Sequence, residues 1–233
     1  MESIERTAPA VTCAVLAGGQ SRRMGTDKAF LELDGRPLIQ WTLQALAGIG
    51  QEIIIIANDP QRYAGLNVRV EPDIIPGYGA LGGIYTAVAR ATHARVLVVA
   101  CDMPLLVRPL LRYLIRLSAH FDAVVPRLPD GAEPLHAVYT KSCLDPIRRA
   151  LARGDKRIIS FFHDICLRYV EPKEIAVFDP SFRSFVNINT PADLQTIRKM
   201  LGAPADSAPA EGAVHEQPRL QQGQDGHRRQ PAH

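Results

Sequence analysis

Three short runs of almost entirely apolar residues constrain the fold of this chain more than any other feature of its sequence. They cover residues 11–16, 53–57 and 96–100. Strands that are apolar on both faces are typical of parallel sheets that helices cover on each side. Between the first two runs, the apolar residues Leu38, Trp41, Leu43 and Leu46 recur at the spacing of one face of an amphipathic helix. We therefore predict an α/β fold: a single Rossmann-like, doubly wound, mainly parallel sheet with helices on both faces.

Weaker patterns continue this alternation along the chain. We predict further strands at 123–126, 135–139 and 167–170, of which the second is a candidate antiparallel strand. We predict further helices at 84–91, 105–117, 143–152 and 158–163. The helix at 105–117 is expected to carry Pro104 in its first turn, where proline is tolerated. A closing helix is predicted at 191–201, with Thr190 as its N-cap and Pro191 at its first position.

The chain has 233 residues, which is enough for one domain with a full core. We expect an N-terminal extension at residues 1–10 and the folded domain at 11–201. Residues 202–233 are rich in Ala, Pro, Gln, Gly and charge, with few large apolar side chains. Such a composition buries too little surface to order itself, so we predict a disordered C-terminal tail.

Charge and cysteine content narrow the functional classes. The formal net charge is 27 − 24 = +3, too weak to indicate a nucleic-acid-binding surface. No apolar run reaches membrane-spanning length and the N-terminus has no signal-peptide pattern, so no membrane contact is expected. The four cysteines are far apart and form no Cys-x-x-Cys pair. We therefore expect a cytoplasmic protein with reduced thiols and no zinc site.

The segment 16–28, with the sequence LAGGQSRRMGTDK, directly follows the first apolar run. Its glycines allow backbone N–H groups to approach phosphate oxygens closely. Arg22, Arg23 and Lys28 add cations that form charge-assisted hydrogen bonds with the same anion. The segment matches neither the Walker pattern nor the dinucleotide fingerprint. It nevertheless predicts that the chain binds the phosphates of a nucleotide.

This segment resembles the signature Leu-Ala-Gly-Gly-x-Ser-x-Arg-Met-Gly-x-Asp-Lys of the MobA family. These proteins are molybdenum cofactor guanylyltransferases within the nucleoside-triphosphate transferase superfamily. Further segments resemble family motifs in family order, and together they span residues 11–201. They are Cys101-Asp102-Met103-Pro104, Pro134-Leu135-His136-Ala137-Val138-Tyr139 and the late segment 187–193. The glycine-rich segment 77–83 departs from the usual Gly-Pro-Leu-Ala-Gly, with Ala80 in place of proline and Gly82 in place of alanine.

The resemblance implies a set of site residues. Those expected to bind GTP are Leu16, Ala17, Gly18, Gly19, Lys28, Asn58, Asp73, Gly82 and Asp102. Lys28, Asp102 and Arg23 are the expected catalytic residues, and Asp102 is the expected ligand of Mg²⁺. The expected substrate-binding residues are Asn187, Asn189 and Tyr139.

The chemistry of these residue types fits those roles. The ammonium of Lys28 can follow the charge that builds on the leaving phosphate oxygens. Asp102 follows a predicted strand, at the edge where α/β sheets bind ligands, although a helix N-cap also explains a carboxylate there. Asn58 is interpreted as a base contact or a turn residue, and Asp73 as a partner of guanine or of ribose hydroxyls. His136 is interpreted as structural, since an ionised phosphate acceptor needs no strong base.

The implied activity is transfer of GMP from GTP to the phosphate of molybdopterin or Mo-molybdopterin, which gives the guanine dinucleotide cofactor and pyrophosphate. The Gly18-Gly19 pair favours guanine, because cytidylyl- and sugar-activating relatives tend to have Leu-Ala-Ala-Gly there. A CTP-dependent molybdopterin cytidylyltransferase, another small-molecule nucleotidyltransferase and a non-catalytic cofactor-binding chaperone stay open as alternatives. Expected partners are GTP, molybdopterin, molybdenum insertion proteins, and apo-molybdoenzymes or their chaperones.

Overall fold

The fold is built around a mainly parallel β-sheet. The structure is a computed structural model, and it describes residues 9–17 and 28–202 of the chain. Its strands are β1 (Val11–Leu16), β2 (Glu32–Leu33), β3 (Arg36–Pro37), β4 (Glu52–Ile56), β5 (Arg69–Glu71), β6 (Arg95–Ala100), β7 (Ala123–Leu128), β8 (Gly131–Ala132), β9 (His136–Thr140) and β10 (Leu167–Val170). The main sheet has the order β10-β7-β9-β6-β1-β4-β5, with β8 paired to β7.

Strand direction confirms the predicted fold class. The pairs β1–β4, β1–β6, β4–β5 and β7–β10 are parallel, whereas β9 is antiparallel to both β6 and β7. The candidate antiparallel strand of the sequence analysis is therefore confirmed. Register aligns Leu16 with both Ile56 and Ala100, so the three central strands end side by side.

Helices cover both faces of the sheet. They are α1 (Leu38–Leu46), α2 (Gly79–Arg90), α3 (Arg108–Leu117), α4 (Leu144–Ala152), α5 (Pro172–Ile175) and α6 (Pro191–Gly202). Five 3₁₀ turns are described, at Lys28–Phe30, Pro60–Leu66, Lys141–Cys143, Ile158–Asp164 and Arg183–Phe185. Successive residues of β1 point to opposite faces: Val15 packs in the cluster that contains α1 and α3 residues, and Ala14 in the cluster that contains α2 and α4 residues. Both faces are therefore buried, as the apolar runs predict.

The start of α3 differs from the prediction. The helix begins at Arg108 and carries Pro109, not Pro104, in its first turn. Residues 103–107 have no helical structure, and Met103, Leu105 and Val107 are nonetheless buried. The amide of Val107 donates to Ser184 Oγ at 3.1 Å, which holds this segment extended. The apolar spacing before Arg108 therefore arises from packing of an extended segment and not from a helix face.

A third apolar cluster forms where the late part of the chain returns to the sheet. Ile188 and Ile197 pack there with Leu33, Leu38 and Leu105. The hairpin of β2 and β3 contributes Leu33, and α1 contributes Leu38. This cluster fixes the segment before α6 against the edge of the sheet where the central strands end.

The ends of the chain are described in part. Residues 1–8 of the expected extension and 203–233 of the expected tail lie outside the described residues, and α6 continues to Gly202. Among the described residues, no helix has both the length and the apolar composition needed to cross a bilayer.

Candidate active site

The carboxyl ends of the central strands bring several predicted site residues together. Backbone hydrogen bonds continue beyond the strands: Ala17 N donates to Ile56 O at 3.0 Å, and Cys101 N donates to Leu16 O at 3.2 Å. Asn58 comes two residues after the end of β4, and Asp102 comes two residues after the end of β6. Parallel strands place such residues at one edge of the sheet, where open α/β sheets bind ligands. Asn58 and Asp102 therefore lie at the edge of the sheet that the sequence predicts for ligand binding.

Lys28, Asp102 and Asn189 form a cluster at this edge. Lys28 Nζ donates to Asp102 Oδ2 at 3.0 Å and to Asn189 Oδ1 at 2.5 Å. The side chains of Lys28 and Asp102 are each about one-fifth exposed. Two oxygen atoms from distant parts of the chain thus converge on one cation, as the assignment of Lys28 and Asp102 to one reaction centre requires.

Backbone contacts hold Asn189 in this position. Ile188 N donates to Asp102 O at 2.9 Å, and the Ile188 side chain is fully buried. Asp193 Oδ2 accepts the amides of Asn189 at 2.8 Å and of Thr190 at 2.7 Å. These two backbone bonds are the main cause that lowers the pKa of Asp193. Thr190 Oγ1 in turn accepts Asp193 N at 3.3 Å, which confirms Thr190 as the cap of α6.

The Lys28 cluster fits the ligand chemistry of Mg²⁺. Asp102 Oδ2 and Asn189 Oδ1 are hard oxygen donors that already face a cation. The described residues contain no group of three or more His, Cys, Asp or Glu side chains suited to a metal. Mg²⁺ is commonly bound by one or two protein oxygens and takes its other ligands from water and phosphate. One carboxylate and one amide oxygen are therefore a sufficient protein contribution.

A second polar pair follows the parallel strands β4 and β5 at the same edge of the sheet. Asn58 Nδ2 donates to Asp73 Oδ2 at 3.0 Å, and Asp73 N donates to Asn58 Oδ1 at 2.9 Å. The other carboxylate oxygen, Asp73 Oδ1, is buried and has no hydrogen-bond partner among the described residues. A buried carboxylate oxygen is costly to leave unpaired, so its position suits a ligand N–H or O–H donor.

Glycines at the start of α2 allow the chain to approach this pair. A Cβ on Gly83 would lie 3.2 Å from Leu16 Cδ1 and 3.9 Å from Asp73 Oδ1. A Cβ on Gly82 would lie 3.1 Å from Ile75 O. Gly82 itself is buried and its amide donates to Tyr78 O at 3.4 Å. The N–H of Gly82 is therefore already used within the helix, and its expected contact with GTP stays a prediction.

Tyr139 also departs from its expected place. It is fully buried, and its hydroxyl donates to Pro134 O at 2.8 Å. Tyr139 pairs in register with Val96, six residues before Asp102, which corresponds to about 20 Å along a strand. Because β9 is antiparallel, each further residue of the motif moves away from the site. Tyr139 is a core residue and offers no surface to a substrate.

His136, on the same strand, is a buried neutral imidazole. Burial lowers its pKa to about 3, and its ring lies 4.7 Å from that of Phe185. Neither ring nitrogen has a hydrogen-bond partner among the described residues. These observations agree with the structural interpretation of His136, because an imidazole with so low a pKa is a weak base near neutral pH.

Some predicted residues stay untested and others were missed. Gly18, Gly19 and Arg23 lie outside the described residues, and Asn187 is half-buried two residues before Asn189. Glu133 escaped the sequence analysis: burial raises its pKa, and repulsion from Asp102 adds to the increase. Its place next to the Pro134-Leu135 motif was an available signal. The sequence analysis also does not predict Asp193, whose carboxylate accepts the Asn189 amide.

Comparisons with known proteins agree with this geometry. Residues 13–168 match the family model of the MobA-like NTP transferase domain. The molybdenum cofactor guanylyltransferase of Desulfosudis oleivorans is 37% identical over 188 residues, which cover 80% of this chain and 93% of that protein. The crystal structure of molybdopterin-guanine dinucleotide biosynthesis protein A from Archaeoglobus fulgidus has a TM-score of 0.73 and 29% identity, with 82% of this chain and 98% of that chain covered.

More distant structures share the fold. The 2-C-methyl-D-erythritol 4-phosphate cytidylyltransferase of Thermus thermophilus has a TM-score of 0.60 at 18% identity, and the match covers 82% of this chain and 98% of that chain. At this identity the likeness concerns architecture alone. The sheet and its helices therefore do not distinguish a guanine nucleotide from a cytosine nucleotide, and base choice depends on side chains.

Proposed function

Because the chain belongs to the MobA-like NTP transferase family, we propose that it transfers GMP from GTP to molybdopterin or Mo-molybdopterin. The products are the guanine dinucleotide cofactor and pyrophosphate. The observation that carries this proposal is the convergence of Asp102 and Asn189 on the ammonium of Lys28, at the ligand-binding edge of the sheet. The cluster supplies a cation and two hard oxygen ligands where a triphosphate and a divalent ion are needed together.

The reaction is a displacement at phosphorus. An oxygen of the acceptor phosphate forms a bond to the α-phosphorus of GTP, and the bond from that phosphorus to the bridging oxygen of the β-phosphate breaks. The acceptor is a phosphate monoester whose second pKa is about 6, so it is ionised near neutral pH and needs no general base. The electron pair of the broken bond leaves on pyrophosphate.

Lys28 is proposed to stabilise the charge that develops on the transferred and leaving phosphate oxygens. Its ammonium is compact and lies at the strand edge, where a phosphate of bound GTP would replace Asp102 as its partner. Arg23 is proposed to hold the outer phosphates together with the backbone of Ala17, Gly18 and Gly19. Asp102 would hold Mg²⁺ together with Asn189, and the ion would neutralise phosphate charge when bound.

Asp73 is proposed to read the nucleoside. Its buried Oδ1 has no hydrogen-bond partner among the described residues, and a carboxylate oxygen is a hydrogen-bond acceptor. It therefore suits the imino and amino groups of guanine or the hydroxyls of ribose. Asn58 positions that carboxylate through its two hydrogen bonds, and Leu16 packs beside it against the position of Gly83. Asn187 is proposed to contact the pterin.

The base is tested directly by binding Mg-GTP and Mg-CTP to the purified protein. We expect tighter binding of GTP, and tighter binding of CTP would instead favour the cytidylyltransferase alternative. Pyrophosphate release from GTP and molybdopterin separates catalysis from the chaperone alternative. A protein that binds both substrates without releasing pyrophosphate would be a carrier.

The cellular setting is part of the same proposal. No disulfide joins any of the four cysteines, all of which lie among the described residues, and this supports a reducing, cytoplasmic compartment. The dinucleotide product must pass to molybdenum insertion proteins, apo-molybdoenzymes or their chaperones. Co-purification of such a partner with the full chain tests this step.

A further inference from the structure

We propose that Tyr63 is a positioning residue that holds Ala17 and the 3₁₀ turn Lys28–Phe30, at the two ends of the 16–28 segment, and thereby sets the affinity of the protein for GTP. The inference rests on the proposed function, since Ala17 and Lys28 belong to its phosphate-binding element. Tyr63 lies in the 3₁₀ turn Pro60–Leu66, which follows β4, and it belongs to no family motif identified in the sequence.

One side chain contacts both ends of the segment. The Tyr63 hydroxyl donates to Ala17 O at 3.2 Å, immediately before residues 18–27. The Tyr63 ring lies 5.1 Å from that of Phe30, in the 3₁₀ turn that begins at Lys28. Tyr63 is only 1% exposed, so the surrounding core fixes its ring and its hydroxyl direction. Ala17 and Phe30 are therefore both held by the same rigid side chain.

The exit contact bears on Lys28 itself. Leu31 N donates to Lys28 O at 3.1 Å, which closes the turn Lys28–Phe30, and Ala29 between them is fully buried. Arg62, the neighbour of Tyr63, also lies 5.3 Å from the Phe30 ring. A displacement of Phe30 would rotate this short turn and move the Lys28 ammonium relative to Asp102.

A purely structural tyrosine would affect stability without a selective effect on nucleotide binding. The chain offers a matched control for this distinction. The Tyr113 hydroxyl, on α3, donates to Glu174 Oε1 at 2.7 Å in a partly buried setting away from the 16–28 segment. Tyr63→Phe and Tyr113→Phe each remove one hydroxyl and keep the ring.

The experiment measures the Kd of Mg-GTP for the full-length wild type and both variants, together with amide hydrogen exchange of residues 28–31 in the nucleotide-free proteins. We expect Tyr63→Phe to bind GTP about fivefold to tenfold more weakly, as loss of one backbone anchor predicts. We expect faster exchange at 28–31 in that variant and neither change in Tyr113→Phe. Phe30→Leu, which loses the ring contact, is expected to behave as Tyr63→Phe does.

Two results would overturn the inference. One is a GTP affinity of Tyr63→Phe within twofold of that of Tyr113→Phe, and the other is unchanged exchange at residues 28–31. The proposed function fails separately, if the wild type binds no nucleoside triphosphate, and the inference then fails with it. If the wild type binds GTP and Tyr63→Phe binds it equally well, only the role of Tyr63 is wrong.

Discussion

The ammonium nitrogen of Lys28 lies 3.0 Å from Asp102 Oδ2, so the carboxylate expected to bind a divalent ion already has a cationic partner. Asn189 Oδ1 contacts the same nitrogen. The Lys28 ammonium thus lies where a metal ion bound by these two oxygens would lie. A divalent ion must compete with Lys28 for that position until a triphosphate gives the ammonium other oxygens to contact.

Removal of the Lys28 ammonium should therefore strengthen metal binding in the absence of nucleotide. Lys28→Ala is expected to bind Mn²⁺ about fivefold to tenfold more tightly than the wild type, since a charge near the surface contributes roughly this much. An electron paramagnetic resonance titration of free Mn²⁺ measures the change. The same variant should lose about 100-fold or more in transfer rate, because a cation at the transferred phosphate is lost.

The matched control is Lys173→Ala, which removes an exposed lysine from α5. It is expected to bind Mn²⁺ as the wild type does. Equal or weaker Mn²⁺ binding by Lys28→Ala would mean that the ammonium and the metal do not share a position.

Replacement of Asp102 by asparagine tests the metal ligand with little change of shape. Asp102→Asn is expected to lower the rate of pyrophosphate release by about 100-fold to 1,000-fold and to abolish Mn²⁺ binding. Its Tm should stay near that of the wild type, because the amide oxygen can still accept from Lys28. Asp145→Asn, on the exposed side of α4, should leave both properties unchanged. A wild-type rate in Asp102→Asn would refute the assignment of Asp102 as metal ligand.

The central fold could be predicted because its signal is local. The runs at 11–16, 53–57 and 96–100 are almost entirely apolar, and burial on both faces of a parallel sheet explains that composition. The edge strand β5 was missed because its sequence Arg-Val-Glu has one apolar residue. The β2–β3 hairpin was missed although Asp34 and Gly35 both have positive φ and form a familiar turn dipeptide.

The site residues likewise divide into those that a local motif predicts and those whose position depends on distant contacts. Lys28, Asp102 and Asn189 carry motif signals, and the fold brings all three together. The positions of Tyr139 and Gly82 depend on the direction of β9 and on the hydrogen bonds at the start of α2, which the motifs do not specify. Tyr63 depends on a contact with a residue 46 positions away and carries no local signal at all.

The close approach at Gly82 predicts a selective effect of a methyl group. Gly82→Ala places a Cβ 3.1 Å from Ile75 O and 3.2 Å from Tyr78 Cβ, so the loop before α2 must shift by a few tenths of an ångström. That loop follows Asp73, and we expect the KM for GTP to rise about threefold to tenfold. The higher helix propensity of alanine, about 1 kcal/mol, should offset the strain and keep Tm near the wild-type value.

Gly65→Ala is the control for this prediction, because a Cβ there meets no atom within 4 Å. Its KM for GTP should match that of the wild type. Gly82→Ala with an unchanged KM would show that the loop adjusts without moving Asp73.

The buried imidazole of His136 predicts how stability depends on pH. Its folded-state pKa is about 3, whereas an unperturbed histidine has a pKa of about 6.5. Between these values the unfolded chain binds a proton that the folded chain does not, so the free energy of unfolding falls as the pH drops. From pH 7 to pH 5 this one residue should remove about 2 kcal/mol.

His136→Leu isolates that contribution, because leucine keeps an apolar contact with Phe185 and cannot bind a proton. Urea denaturation at pH 7 and pH 5 should show that the loss of unfolding free energy is about 2 kcal/mol smaller in this variant than in the wild type. The exposed His120 serves as the comparison, and His120→Gln should keep the wild-type loss. If His136→Leu also kept it, the imidazole would have to be protonated in the folded protein, and its burial without a partner would no longer explain the acid sensitivity.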